Sequence, residues 1–373
     1  MALPVIIILL ILYCYTLLIL LFYMEIEKEP DIKDETPEHP RHISLIIPFR
    51  NEAEHLPALI EDLAVQFYPA HMWELIFVDD HSEDDSASII ASAIADTPGF
   101  SYQRLSSGKS GKKAALYEGI QEAKHNWIMQ VDADCRVGPG FISSHVMFLD
   151  RHPSDMVAGL VSTGKGKGSF METFERLDML ALVGSSAGSF SLGRPMMCSG
   201  ANLSYSRELY METRSFDPEQ STASGDDMFL MIGGRKLNRT LRYNTSREAL
   251  VETGAMKDLR TLIVQRMRWG SKTGLYRMPD IQLFALLVSL TNISILLMPL
   301  WMILFPGMWA WLAGAYIAKS LADFMLLFRI TGITGSRADL KMFIPVSLMY
   351  YPVFLISMLG ALLGKQAWKK SLR

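Results

Sequence analysis

The chain has 373 residues, 50% of them hydrophobic and 20% charged, with a positive mean hydropathy; it is too apolar for an ordinary soluble enzyme and is not disordered, fibrous or a small disulfide scaffold. A formal net charge of −3 leaves no surplus of Lys and Arg to neutralise a phosphate backbone, so nucleic acid is not an expected partner. The cysteines Cys14, Cys135 and Cys198 form no CxxC pair, and the histidines show no HxxxH or HExxH spacing, so reduced thiols are expected and metal-imidazole chemistry is not.

In chain order, Leu3 to Tyr23 carries no charge, and a run of about 20 apolar residues suffices to cross a bilayer as a helix. Without a basic leader or a small-residue cleavage site, it reads as a retained anchor rather than a signal peptide. The predicted organisation is an anchor over 1–24, a charged, Pro-containing tether over 25–42, a globular domain over 43–280 and a membrane bundle over 281–373. The bundle has three apolar stretches, Ile281 to Leu304, Met308 to Phe328 and Met342 to Leu363. A span separates the basic loop of Arg329, Arg337 and Lys341 from the basic tail of Lys365, Lys369, Lys370 and Arg373, so both cannot lie on the inner side; one stretch is expected to lie in the interface or to re-enter. Lys319 and Asp323, at i,i+4 within the second stretch, should pair or face a polar cavity.

Within the globular domain, β-rich runs alternate with helical periods: Ser44 to Pro48, Ala53 to Val65, Leu75 to Val78, Ser86 to Ile94, Tyr102 to Leu105, Lys113 to Ala123 and Trp127 to Val131. Such alternation predicts an α/β fold of right-handed crossovers and a mostly parallel sheet, which binds ligands beyond the carboxyl ends of its strands. Those ends carry Arg50, Asn51 and Glu52, then Asp79, Asp80, His81 and Ser82, then Asp132, Ala133 and Asp134. Asp132 and Asp134 are one residue apart, so an extended segment points both carboxylates to one side, where they can share Mg2+ or Mn2+ with substrate phosphates. The implied ligand is a nucleoside diphosphate. Neither Gly108 to Lys113 nor Gly164 to Gly168 fits a phosphate-loop or dinucleotide fingerprint. The latter segment, followed by Phe170 to Val183, is read as acceptor-side or as a plain connection. Gln265, Arg268 and Trp269, at i, i+3 and i+4, share one helix face, suited both to a site and to the membrane surface.

Taken in order, the motifs Pro48-Phe49-Arg50-Asn51-Glu52, Val78-Asp79-Asp80-His81-Ser82, Gly111-Lys112, Asp132-Ala133-Asp134, Gly200-Ala201-Asn202, Gly225-Asp226-Asp227 and Gln265-Arg266-Met267-Arg268-Trp269 resemble the family 2 glycosyltransferases. The resemblance implies a GT-A fold and inverting transfer from a nucleotide sugar, with uridine as the expected base. It implies nucleotide-sugar contacts at Pro48, Arg50, Glu52, Asp79, Lys112 and Asp132, joined by Gln265, Arg268 and Trp269. It further implies metal ligation by Asp134 with Asp132, acceptor contacts at Asn202 and Trp269, and a catalytic base at Asp227 or its neighbour Asp226. Asp227 is favoured because Asp227-Met228-Phe229-Leu230 fits the family's acid-x-x-Leu register, although Gly225-Asp226-Asp227 stands where relatives often have Thr-Glu-Asp. Arg268 would add fixed positive charge at the leaving diphosphate.

Members with this QxxRW motif include ceramide glucosyltransferases and the cellulose, chitin and hyaluronan synthases. One anchor and about three further spans resemble the smaller lipid-glycosylating members, so the expected acceptor is a lipid at the bilayer surface. A processive polysaccharide synthase, able to build a channel as a homo-oligomer, is the alternative, and a non-catalytic nucleotide-sugar sensor a remoter one. The need for nucleotide sugars implies a catalytic domain in the cytoplasm, at a bacterial plasma membrane.

Overall fold

The computed structural model describes residues 3–26, 37–96, 99–164, 168–216 and 225–363. In chain order its first elements are α1 (Leu3–Glu25), β1 (Ile43–Phe49), α2 (Leu56–Ala64), β2 (Trp73–Asp79), α3 (Ser86–Asp96), β3 (Phe100–Arg104), α4 (Lys112–Glu122) and β4 (Trp127–Gln130). Then come β5 (Cys135–Val137), α5 (Phe141–Arg151), β6 (Met156–Gly159), β7 (Val161–Thr163), α6 (Phe170–Ser191), β8 (Leu203–Ser206), α7 (Arg207–Thr213), α8 (Asp226–Lys236), β9 (Leu241–Asn244) and β10 (Val251–Thr253). The remainder is helical: α9 (Leu259–Gly270), α10 (Pro279–Leu296), α11 (Met298–Leu304), α12 (Trp309–Thr334) and α13 (Phe343–Leu363).

The chain forms two compact units. One, from 27–164 and 193–254, holds both sheets. The larger sheet has the order β3-β2-β1-β4-β8-β6-β9 and is parallel except at β8, which runs antiparallel to β4 and β6. A smaller sheet has the order β5-β10-β7. All seven residues of β1 are buried, because helices cover both of its faces. Ile43, Leu45 and Ile47 enter the main core with Leu56, Leu59 and Leu63 of α2. On the other face Gly119 lets α4 approach closely, since a Cβ there would stand 2.7 Å from Ile46 Cγ2 and 3.0 Å from Val78 Cγ2. The predicted α/β fold with a mostly parallel sheet is thus present.

The second unit comprises 1–26, 165–192 and 255–373 and is helical. It departs from the expected single domain over 43–280, because α6 packs its long buried face against α1 and α12, and α9 packs against α13. Among the described residues four helices are long and apolar enough to cross a membrane: Leu3–Glu25, Pro279–Leu296, Pro306–Thr334 and Arg337–Leu363. The first C-terminal stretch breaks at Leu297, where Pro299 starts α11. Side-chain pairs fix the helix directions. Tyr15 OH donates to Asp323 Oδ1 at 3.0 Å, and near the ends of the same helices Arg329 Nη2 donates to Ile26 O, so α1 and α12 run parallel. Phe22 meets Phe284 near the start of α10, ring centroids 5.9 Å apart, so α10 runs antiparallel to α1. These directions put the Arg329–Lys341 loop at the end of the bundle where α1 ends. Arg337 lies over the Phe328 ring at 4.2 Å and Arg329 binds backbone, so both also hold the bundle together. Lys365, Lys369, Lys370 and Arg373 lie outside the described residues.

Candidate functional site

In the larger sheet, β2 and β3 lie on one side of β1 and β4 on the other, so the strand order reverses between β1 and β4. A crevice opens at such a point beyond the carboxyl ends of the strands. Pro48, next to last in β1, is buried; Arg50 follows the strand, exposed and 4.0 Å from Glu83. Asn51, at φ +56°, turns the chain, its N–H donating to Ser82 Oγ at 3.0 Å while its Oδ1 accepts from Glu83 N at 2.8 Å. Asp79, the last residue of β2, is buried, with Oδ1 accepting from Ser82 N at 2.7 Å and Oδ2 from Tyr102 OH at 3.0 Å. The loops after β1 and β2 are therefore one bonded assembly.

Asp132 and Asp134 follow β4 in a turn, closed by Cys135 N donating to Asp132 O at 3.1 Å, rather than in the expected extended segment. Lys112, the first residue of α4, donates Nζ to Asp132 Oδ1. Burial opposes the Lys112 ammonium, but Asp132, Asp226 and Asp227 together raise its pKa above the ordinary lysine value. Burial, and then the like charge of Asp132, raises the Asp134 carboxyl. Glu52 is raised by burial, then lowered by its bond to His55 and raised again by Asp134 and Asp132. The charges of Asp132 and Asp134 thus act on the Glu52 carboxyl.

Asp227, in the first turn of α8, is held by two backbone donors, Gly200 N to Oδ2 at 2.9 Å and Met228 N to Oδ1 at 2.8 Å. Gly200 is itself fixed by Gln130 Nε2, which donates to its carbonyl at 2.8 Å, and Tyr205 OH donates to Gln130 Oε1 at 2.8 Å. A Cβ at Gly200 would lie 3.0 Å from Gln130 Nε2 and 3.4 Å from Lys112 Nζ. Burial and the neighbouring Asp226 push the Asp227 carboxyl up to about 6, against Lys112 and the two N–H donors. Among the described residues Asp226 Oδ2 is buried with no hydrogen-bond partner.

One expected site residue has a different place. Asn202 is fully buried, its Nδ2 donating to Leu160 O at 2.8 Å and Ala249 O at 2.7 Å and its Oδ1 lying 3.0 Å from His145 Nε2. Its polar atoms are consumed by the core, so it lines no acceptor surface and instead joins β8 to the chain near β6 and β10. Gln130 was missed by motif reading, although a lone polar residue ending the apolar run Trp127–Met129 marks it. Lys165 and Lys167, in the expected acceptor-side loop, lie outside the described residues.

Gln265, Arg268 and Trp269 lie on α9, in the helical unit. Arg266, between them, pairs with Asp178 of α6 at 2.8 Å through Nε and 2.5 Å through Nη2, and its guanidinium covers the Trp269 ring at 4.4 Å. Gln265 Oε1 is buried without a partner, and among the described residues Arg268 makes no ion pair.

Asp132 and Asp134 fit a hard divalent cation by donor type, although Asp132 is already paired with Lys112 and burial is the first cause of the raised Asp134 carboxyl. Among the described residues no group of three or more His, Cys, Asp and Glu is placed to hold a metal.

Residues 44–214 match the family model "Glycosyl transferase family 2". The chain is 35% identical over 100 residues, 26% of its length, to an undecaprenyl-phosphate 4-deoxy-4-formamido-L-arabinose transferase of Pectobacterium carotovorum, covering 31% of that protein. It is 31% identical over 139 residues, 36% of its length, to a dodecaprenyl-phosphate galacturonate synthase of Rhizobium johnstonii, covering 40% of it. It thus spans about a third to two fifths of these relatives. The fold resembles a mannosyltransferase from Pyrobaculum calidifontis, solved with GDP-Man and Mn2+, with a TM-score of 0.57 at 15% identity over 96% of this chain and 99% of that one.

Proposed function

Because residues 44–214 match the family 2 glycosyltransferase model, we propose that the chain transfers a sugar from a nucleotide sugar, a UDP-sugar, to a lipid acceptor with inversion at the anomeric carbon. The observation that carries this reading is Asp227: a carboxylate oriented by two backbone N–H groups, with a pKa of about 6, in the electrostatic reach of Lys112. A base works best with its pKa near the operating pH. In a single displacement, Asp227 takes the proton of the acceptor hydroxyl as the new carbon–oxygen bond forms and the bond to the diphosphate breaks. Lys112 offsets charge on the departing diphosphate. Glu52 and Asp79 are assigned to the nucleoside. A Mg2+ or Mn2+ ion at Asp134 and Asp132 would supply Lewis-acid stabilisation of the leaving group.

The lipid acceptor is supported by the four helices of membrane-spanning length and by the prenyl-phosphate names of the two relatives. The sheet-bearing unit is assigned to the cytoplasm of a bacterial cell, where nucleotide sugars are made. The test incubates the membrane-embedded protein with Mn2+, labelled UDP-sugars and GDP-mannose, and a bacterial lipid extract, then partitions the label. Donor-specific label in the organic phase, absent with Asp227→Asn, is the expected result. Label confined to insoluble or water-soluble polymer would replace the lipid transferase by a polysaccharide synthase, and label left wholly in the donor would overturn both.

A further inference from the structure

The strand β4 is apolar until its last residue, Gln130, which is only 1% exposed. A buried amide left without partners is costly, so a glutamine at this place needs both of its ends satisfied. Both are: Nε2 donates to Gly200 O at 2.8 Å, and Oε1 accepts from Tyr205 OH at 2.8 Å. A peptide carbonyl only accepts, so the amide can face Gly200 with its nitrogen alone. Tyr205, fully buried on β8, stands opposite Ile128 in the antiparallel pairing with β4. Gln130 lies two residues beyond Ile128 on the same face of the sheet, which makes Tyr205 its diagonal neighbour. The Tyr205 ring is stacked on Tyr210, centroids 5.7 Å apart and planes 16° from parallel. Stacking thus fixes Tyr205, Tyr205 fixes Gln130, and Gln130 fixes Gly200.

From Gly200 the relay reaches Asp227, whose Oδ2 accepts the Gly200 N–H at 2.9 Å. Gly200 lies in the turn before β8, closed by Asn202 N donating to Ser199 O at 3.2 Å. A Cβ on it would stand 3.0 Å from Gln130 Nε2, 3.4 Å from Lys112 Nζ and 3.6 Å from Asp227 Cβ, so amide, ammonium and carboxylate converge on this one residue. The other carboxylate oxygen is bonded by Met228 N, the next residue of the same helix, which cannot by itself hold the side chain against the sheet. The Gly200 N–H does that. Lys112 acts on the same carboxylate as a nearby positive charge. A carboxylate released from Gly200 can swing toward that ammonium, and an ion-paired carboxylate is a weaker base.

We propose that Gln130 and Tyr205 are positioning residues for sugar transfer: through Gly200 they hold the Asp227 carboxylate away from Lys112 and aimed at the acceptor hydroxyl. The proposal rests on the glycosyltransferase reading, with Asp227 as its base, and deepens it by naming the buried groups that keep the base in place. Neither residue touches substrate in this role. A packing role alone would lower stability and leave the turnover of each folded molecule unchanged, whereas positioning acts on turnover.

The test uses the full-length protein in nanodiscs, with saturating bacterial lipid extract and whichever labelled UDP-sugar or GDP-mannose it accepts. Gln130→Leu removes both amide bonds at similar volume, and Tyr205→Phe removes the hydroxyl while keeping the ring on Tyr210. Gln130→Leu should lower kcat about ten- to hundredfold, the scale of a misplaced reacting group, and Tyr205→Phe should lower it by a smaller factor. Donor KM, and affinity for the donor's nucleoside diphosphate with Mn2+, should stay within about twofold, which also reports that each variant is folded. If Gln130→Leu loses nucleotide binding, Tyr205→Phe decides. On top of Asp227→Asn, Gln130→Leu should cost less than about twofold more, because the group it positions is gone. Unchanged kcat in both variants with nucleotide still bound would overturn the positioning role and leave the glycosyltransferase reading intact. So would the full Gln130→Leu loss repeated on top of Asp227→Asn. No transfer by the unaltered protein from any of the donors would instead overturn the reading beneath it.

Discussion

At the scale of single residues, the proposed chemistry concentrates on Asp227. As the proposed base it must be ionised to accept a proton, and burial beside Asp226 pushes it up to about 6, so kcat/KM should fall as pH drops through about 6 rather than near the ordinary carboxylate value. A pH–rate profile with an acid limb near 4 would remove Asp227 from that role. Asp227→Asn should lower turnover by about 10^2 to 10^4-fold, the usual contribution of a general base, with UDP affinity nearly unchanged. Asn202 should behave differently. Asn202→Ala strips two carbonyls and His145 of their partner inside the core, a loss on the order of 3 kcal/mol that thermal unfolding would register, with little change in acceptor KM for the folded fraction. Motif reading could place the acids because each ends a strand, and strand ends follow from hydrophobic runs. It could not separate Asn202 from Asn51, since whether an amide faces a crevice or a core depends on contacts between β8, β6 and β10 that are distant in sequence.

At the scale of elements, seven runs from Ser44 to Val131 were legible almost to their ends, because alternating buried strands and amphipathic helices leave a clear period. Beyond Val131 the strands shorten to three or four residues and the sheet turns antiparallel at β8, so periodicity fades. Neither a three-residue strand nor its register is specified without its partner. Helix packing is similarly non-local. On α6, a Cβ at Gly188 would stand 2.5 Å from Phe22 Cβ and 2.6 Å from Phe22 Cα, backbone that cannot yield. At Gly184 it would meet only the Leu326 side chain, 3.1 Å away at the closest. Gly188→Ala should therefore force α1 from α6 and cost about 1–3 kcal/mol. Gly184→Ala should be near neutral, because Ala's helix preference of about 1 kcal/mol offsets a small shift of Leu326. Thermal unfolding of the two variants in the same detergent separates them, and equal melting temperatures would contradict the packing assigned to α1 and α6.

At the scale of the whole chain, four apolar stretches were legible because charge is absent from them, whereas the grouping of α6 and α9 with those stretches was not. Their polar residues hid that membership, and only pairs such as Arg266 with Asp178 express it. The same logic applies to the charges within the second C-terminal stretch. Lys319 is almost wholly buried, 2.6 Å from Asp323 and 3.3 Å from the Tyr351 hydroxyl, while Tyr15 OH donates to the other Asp323 oxygen. One ion pair therefore ties α1, α12 and α13. With these partners in place, the pair reads as a structural clasp rather than as an ion or proton path. Removing one charge leaves the other buried and uncompensated, so Asp323→Leu alone should destabilise the bundle by about 3–5 kcal/mol. Replacing both, as Lys319→Met with Asp323→Leu, should restore most of that loss and leave sugar transfer near its original rate. Transfer abolished in a double variant that melts like the unaltered protein would make the pair functional, and the clasp reading would fall.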